Sequence, residues 1–156
     1  TYMNEGGWEN AIKNLQIALR THRMQPEYNL AMGQCYMEQG KIEEAVQYFG
    51  NVVRTRPKNS NGWIELLKCL YQANCFEEGL EYVEHAISLT NKPVFVFYKS
   101  AFLFSSGKTK EAILQLENGM EMNPKLVKKL IELNPAIFQN QSVVDVIARF
   151  KRSKSI

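Results

Sequence analysis

Reactive side chains are scarce in this sequence, and their scarcity removes most routes to catalysis. The chain has 156 residues but only 2 histidines and 3 cysteines. His22 and His85 stand far apart, each on a polar stretch. Cys35, Cys69 and Cys75 match no metal-site or disulfide spacing. No HExxH, CxxC, Gly-rich phosphate loop or recognisable Ser-His-Asp set is present. Acidic pairs such as Glu43-Glu44 read as helix starts, where a carboxylate meets the positive end of the dipole. No catalytic residue, cofactor or metal ligand is expected, and the chain reads as a non-enzyme.

A membrane-length apolar run is also missing. The longest apolar stretch, Val94 to Phe104, is broken by Lys99 and Ser100 and is too short to cross a bilayer. No leader pattern is read either. Charge of one sign is absent from most of the chain. The formal net charge is +3, from 19 basic and 16 acidic residues. Arg149, Lys151, Arg152 and Lys154 carry that excess, and without them the body is near neutral. A neutral body lacks the basic groove that helical repeats need for RNA, so no nucleic-acid partner is expected. An odd, scattered set of cysteines fits a reducing compartment, which gives a cytoplasmic expectation.

What the sequence does have is a period of 34 residues. Tyr2, Gly6, Ala11, Leu15 and Ala18 recur as Tyr36, Gly40, Ala45, Phe49 and Val52. Asn74, Gly79, Val83 and Ala86 follow at the same spacing, and Gly107, Ala112, Leu116 and Gly119 come 33 residues later. Pro57, Asn91 and Pro124 keep the beat. A fixed period of this length marks stacked repeats, each contacting its neighbours.

Each period contains two helical patterns. One is expected from about Glu27 to Gln39, with Leu30, Ala31, Met32, Cys35 and Tyr36 on its apolar side. Gly40 then supplies a left-handed stop. A second begins near Ile42 and buries Ala45, Val46, Phe49, Val52 and Val53 at helical spacing, until Pro57 closes the unit. The same turn-then-helix grammar is read in GGWENA, GKIEEA, NCFEEG and GKTKEA. Ala11, Ala45, Gly79 and Ala112 are expected to let the second helix approach the first. Ala18, Ala86 and Gly119 should do the same for the next unit. A Leu at Ala45 should overpack that crossing by roughly 1–3 kcal/mol. Trp8, Tyr36, Phe49, Trp63 and Phe76 read as core aromatics.

These residues resemble the tetratricopeptide repeat (TPR) family. In one unit the match reads Gly33, Tyr36, Gly40, Ala45, Phe49 and Pro57, and Trp63 and Leu66 continue it in the next. It covers Tyr2 to Pro124. The resemblance implies an all-α, right-handed superhelical solenoid of antiparallel helix pairs. Residues 26–59, 60–92 and 93–126 would be repeats, preceded by the second half of another at 1–25. Residues 127–156 would form capping helices and a basic tail. The third unit departs from the pattern, with Ser100 in place of Gly33 and one residue missing near Asn91 to Pro93. Because Tyr2 corresponds to Tyr36, most of a first helix is expected before Thr1, as in the C-terminal part of a longer array.

At the other end, Lys125 to Leu133 reads as a short helix stopped by Asn134-Pro135. Ser142 is the expected cap of a last helix carrying Val143, Val144, Val146, Ile147 and Phe150. The KRSKSI tail reads as a solvated end.

The TPR resemblance assigns binding to the inner wall, lined by the first helix of each repeat. Carried over, that wall comprises Leu30, Gln34 and Met37, then Ile64, Lys68 and Tyr71, then Phe97, Ala101 and Phe104. Each trio lies on one helical stripe. Chaperone-binding members grip a C-terminal carboxylate with basic and amide groups on this wall. Here the matching places hold Gln34, Lys68, Val94 and Tyr98, which speaks against such a clamp. The segment VFVFYKSAFLF is apolar nearly all round. Either the last helix or Pro135 to Phe138 covers Phe97 and Phe104, or they form an apolar groove with Met37 and Tyr71. The resulting expectation is a protein-interaction scaffold with a peptide or helix partner. The alternative is self-association, including a homodimer through an exposed N-terminal repeat edge.

Overall fold

The structure, a computed structural model, describes residues 5–154. Tyr2 and the Ser155-Ile156 end of the tail lie outside the described residues. The fold is all-α and built from TPR-like antiparallel helix pairs with C-terminal capping helices. The chain divides into two compact units, Thr1–Asn74 and Cys75–Ile156.

The first unit holds α1 (Glu5–Thr21), α2 (Pro26–Glu38), α3 (Ile42–Thr55) and α4 (Ser60–Gln72). Pro26 sits in the first turn of α2, where its missing N–H costs nothing. Gly40, at φ +74°, reverses the chain into α3. The Lys41 N–H reaches back to the Tyr36 carbonyl at 2.8 Å, and the Gly40 N–H to Met37 at 3.0 Å. That double closure is a Schellman turn, which places α2 and α3 antiparallel within three residues. Gly6, expected in the equivalent turn, stands instead inside α1 with Gly7. Among the described residues there is no earlier helix there for it to stop.

The second unit holds α5 (Phe76–Thr90), α6 (Pro93–Ser105), α7 (Thr109–Met122), α8 (Val127–Leu133) and α9 (Gln141–Lys154). Short 3₁₀ segments, Pro124–Leu126 and Pro135–Gln139, precede α8 and α9. Gly107, at φ +80°, repeats the Gly40 turn, with the Lys108 N–H bonding Leu103 at 2.9 Å. Asparagines start the later elements. Asn123, Asn134 and Asn140 each accept a backbone N–H two residues on, at 3.2, 3.1 and 2.9 Å. Asn140 therefore caps α9, and the expected cap Ser142 lies inside the helix. Asn140 has the extended backbone that a cap requires.

Glycines are used where two helices meet, though not in the expected directions. A Cβ on Gly33 would lie 2.5 Å from the Phe49 ring, so α2 and α3 close only over a bare Cα. Gly79 meets Phe102 of the following α6, whereas Gly119 meets Phe97 of α6 within its own pair. Spacing alone had assigned those two directions the other way round, because it cannot tell which neighbour an interface position faces. At Ser100, where the third unit lacks the Gly33 equivalent, the hydroxyl donates to the Ala112 carbonyl at 2.7 Å. This buried polar atom is thereby satisfied within the α6–α7 crossing.

A second recurring device ties each loop to the helix after it. Asn29 Nδ2 donates to the Arg23 and Gln25 carbonyls at 3.0 and 2.9 Å. Asn51 Nδ2 in turn donates to Asn29 Oδ1 at 2.9 Å. One period later Trp63 holds the same position, and its Nε1–H donates to the Pro57 carbonyl at 2.7 Å. Both bonds span six residues. In the third unit the position is Val96, which has no donor. There the shortened loop is only Asn91-Lys92, turned by Asn91 at φ +53°. The missing residue and the missing donor therefore occur together.

The core of the second unit is α6. Phe95, Phe97, Ala101 and Phe102 are fully buried, which accounts for a segment that is apolar all round. It packs on α5, α7 and α8. Among the C-terminal elements α8, which contains the buried Leu130, packs on α6, while α9 packs on α7. Of the C-terminal elements, α8 rather than the last helix makes the main contact with α6. Val143, Val146 and Ile147 are buried on the inner face of α9, and Lys151, Arg152 and Ser153 remain exposed.

Candidate functional site

The sequence-assigned residues fall into different environments. On α2, Gln34 is exposed and Leu30 and Met37 are half-buried. On α4, Ile64 and Lys68 are half-buried and Tyr71 is buried. On α6, Phe97 and Ala101 are fully buried and Phe104 is half-buried.

Three of these residues, Gln34, Met37 and Lys68, line one cavity of about 770 Å³ in the first unit. From α2 the cavity also takes Ala31, Cys35 and Glu38, and from α4 Glu65 and Gln72. Trp8, Ala11 and Leu15 of α1 complete it. Leu30 points elsewhere and lines a smaller cavity of about 140 Å³ with Pro26, Val52 and Gly62. The volume of the larger cavity is within the roughly 300–1,000 Å³ usual for ligand clefts.

A repeat-register rule explains the lining better than the assigned trios do. Ala31, Gln34 and Glu38 of α2 occupy the same repeat positions as Glu65, Lys68 and Gln72 of α4. The stripe facing the cavity thus includes one residue next to each assigned end position. The 34-residue period carried that signal, since the two helices must present the same face.

The cavity has an apolar floor and a polar rim. Trp8, Leu15, Cys35 and Met37 give the floor, and Glu38, Glu65, Lys68 and two glutamines give the rim. Cys69 lies beneath Met37, with Sγ 2.9 Å from the Met37 sulfur. Burial pushes the Cys69 thiol up to about 12, and the Glu65 carboxylate adds to the rise. Burial also raises the Cys35 thiol. Both are held as neutral packing groups, the opposite of what a nucleophile needs. The two histidines are exposed, and among the described residues no cluster of His, Cys, Asp and Glu could hold a metal ion. Among those residues no helix is long and apolar enough to cross a membrane. The arrangement offers shape, apolar area and rim charge for non-covalent binding.

Comparison with known proteins bears on this geometry. Residues 4–86, which include every residue lining the cavity, match the family described as anaphase-promoting complex, cyclosome, subunit 3. A curated relative is the TPR repeat-containing protein YpiA of Bacillus subtilis (strain 168), 25% identical over 135 residues. That match covers 85% of this chain but 32% of YpiA, so the chain spans about a third of its relative's length. Among solved structures, MamA has a TM-score of 0.69 at 15% identity, covering 99% of this chain and 97% of MamA. YrrB, described as a TPR protein with an unusual peptide-binding site, has a TM-score of 0.64 at 17% identity. It is covered over 76% of its length, with 92% of this chain aligned. At these identities the structural likeness establishes the fold.

Proposed function

The chain belongs to the anaphase-promoting complex, cyclosome, subunit 3 family, and on that premise we propose that it is a protein-interaction module acting without covalent chemistry. Its partner is a protein segment held on the wall formed by α2 and α4 of the first unit. The observation that carries this reading is the cavity of about 770 Å³, with its apolar floor, charged rim and recurrent lining positions. Partly exposed Trp8 and Met37 provide apolar contact area, with Met supplying adaptable packing. Glu38, Glu65 and Lys68 set the polarity a partner must match. A peptide ligand is also the kind named for YrrB, which shares the fold. The protonated Cys69 and the exposed, separated histidines support a role without catalysis.

The test is a pull-down from native lysate read by quantitative mass spectrometry. Wild type is compared with a Gln34→Lys/Lys68→Glu variant that keeps its helical circular dichroism. Both positions are at least partly exposed, so folding should survive. Loss of specific proteins from the variant is expected. An identical protein set from both would remove this wall as the binding site.

A further inference from the structure

One repeat position stays at the surface in every unit. Thr21, Thr55, Leu89 and Met122 share it, at spacings of 34, 34 and 33 residues, and all four are exposed. One helical turn earlier, Val52, Ala86 and Gly119 are buried in the helix crossings. The fold therefore asks nothing apolar of the outer position, and threonine fills it twice. In the second unit it holds Leu89, 40% exposed, and Met122, 53% exposed. Packing does not account for two apolar side chains at one solvent-facing register. A lysine recurs three residues after it, as Lys58, Lys92 and Lys125, and each is exposed.

Chain direction brings the second-unit copies to one end of the helix stack. There α6 packs antiparallel to both α5 and α7. The ends of α5 and α7, with Leu89 and Met122, therefore lie toward the start of α6, which Lys92 precedes. The segment Pro124–Leu126 packs on α6 and α7 and carries Lys125, and Lys128 follows one turn later, also exposed. Among the described residues none of these three lysines forms an ion pair. The last turns of α5 and α7 contain a single carboxylate, Glu121. At the opposite end of the same helices, Lys108 and Lys110 are accompanied by Glu77, Glu78 and Glu111. Lysines beyond helix C-termini offset the dipole, but the dipole has no use for Leu89 and Met122.

We infer that this end of the second unit docks an acidic segment of a partner protein. Apolar side chains of the segment cover Leu89 and Met122, and its carboxylates pair with Lys92, Lys125 and Lys128. Charge complementarity selects this occupant. An anionic bilayer fits less well, because it senses the field over a Debye length. Glu77, Glu78, Glu81 and Glu84 on α5 weaken that field. A bound peptide makes its pairs at contact distance, where the local lysines decide. This surface belongs to the second unit and is independent of the cavity in the first.

The probe is a fluorescent peptide of three Glu-Leu-Asp triplets, amidated at its C-terminus and titrated into the whole 156-residue protein. Anisotropy should show saturable binding that weakens with added salt. Lys92→Glu/Lys125→Glu should weaken it at least ~10-fold, and so should Leu89→Thr/Met122→Thr, which restores the threonine of the other units. All four positions are exposed, and circular dichroism checks that both variants stay helical. Lys108→Glu/Lys110→Glu, with the same charge change at the opposite end, should have less than ~2-fold effect. The cavity variant Gln34→Lys/Lys68→Glu should bind as wild type does. No saturable binding overturns the inference, as does equal weakening by the two lysine pairs, which would report net charge alone. Loss with the cavity variant but not with the Leu89 and Met122 variant places the peptide elsewhere and also overturns it. Vesicles of phosphatidylcholine and phosphatidylserine in equal parts form the last arm. If they sediment wild type but not the Lys92 and Lys125 variant, while the peptide fails to bind, the surface reads lipid rather than protein.

Discussion

Gly33 and Phe49 form a lock between α2 and α3: a Cβ on Gly33 would fall 2.5 Å from the Phe49 ring. Real Cβ atoms do not tolerate that approach, so either the ring or the helix must move. Gly33→Ser should destabilise the first unit by about 1–3 kcal/mol through overpacking. Phe49→Leu alone should also destabilise it, by leaving a void where a fully buried ring stood. The double variant reproduces the Ser100 and Leu116 combination of the third unit and should lose less than the two single losses added together. A double-mutant cycle in urea measures the difference. Strict additivity would mean that the two positions do not share the space assigned to them.

The loop ties predict a graded series. Trp63→Phe keeps most of the buried ring but removes its bond to the Pro57 carbonyl, and should cost about 1 kcal/mol. Asn29→Leu should cost more, because it abandons two loop carbonyls and the amide of Asn51 beside an almost fully buried site. Hydrogen exchange then locates the damage. Residues 22–25 should lose protection in the Asn29 variant, and residues 56–59 in the Trp63 variant. Equal loosening of both loops in either variant would contradict the local tie.

The helices were legible because their punctuation is chemical. Gly40 and Gly107 need the left-handed region, Pro26 and Pro93 fit first turns, and the acidic starts oppose the dipole. The cavity was less legible, because neighbouring stripes on a helix differ by one residue. The assigned set of Leu30, Gln34 and Met37 and the α2 lining of Ala31, Gln34, Cys35, Met37 and Glu38 share Gln34 and Met37 and differ at Leu30. Only the comparison of α2 with α4 separates them. The burial of Phe97 and Ala101 had a signal in the all-round apolar character of α6, but that signal names no covering neighbour. It depends on packing by α5, α7 and α8, and the periodicity of α6 contains nothing about which neighbours come to cover it. The shift of the α9 cap from Ser142 to Asn140 is a smaller case. Both residue types cap helices, and backbone conformation decides between them.

Magnitudes separate two features of α9, one buried side chain and one ion pair to α7. Val143 is fully buried, whereas the Arg149–Glu117 pair, at 3.3 Å, is largely solvent-exposed. Val143→Ala should cost about 1.5–3 kcal/mol from lost apolar burial and the remaining void. Arg149→Ala should cost under about 1 kcal/mol, and added salt should erase even that. Chemical denaturation of both variants at low and high salt checks the ranking. A salt-insensitive Arg149 effect larger than that of Val143 would reverse the account of the cap.

Cys69 gives the first unit a stability limit on the alkaline side. An unfolded chain releases this proton near pH 9.0, while the folded chain keeps it until about 12, chiefly through burial. The folded state therefore disfavours the thiolate, and the group's contribution to stability is complete below pH 9. It declines as pH rises through that interval, by up to ~1.4 kcal/mol for each unit. Other groups titrate in the same range, so the quantity to measure is the difference between wild type and Cys69→Ala. That difference should be flat from pH 6 to 8 and should shift against wild type from pH 9 upward. Thiol alkylation at pH 8 gives an independent reading: Cys69 should remain unmodified in the folded protein and react once urea unfolds it. Rapid labelling of Cys69 in the native state would show that water reaches the floor beneath Met37, and the alkaline slope should then vanish with it.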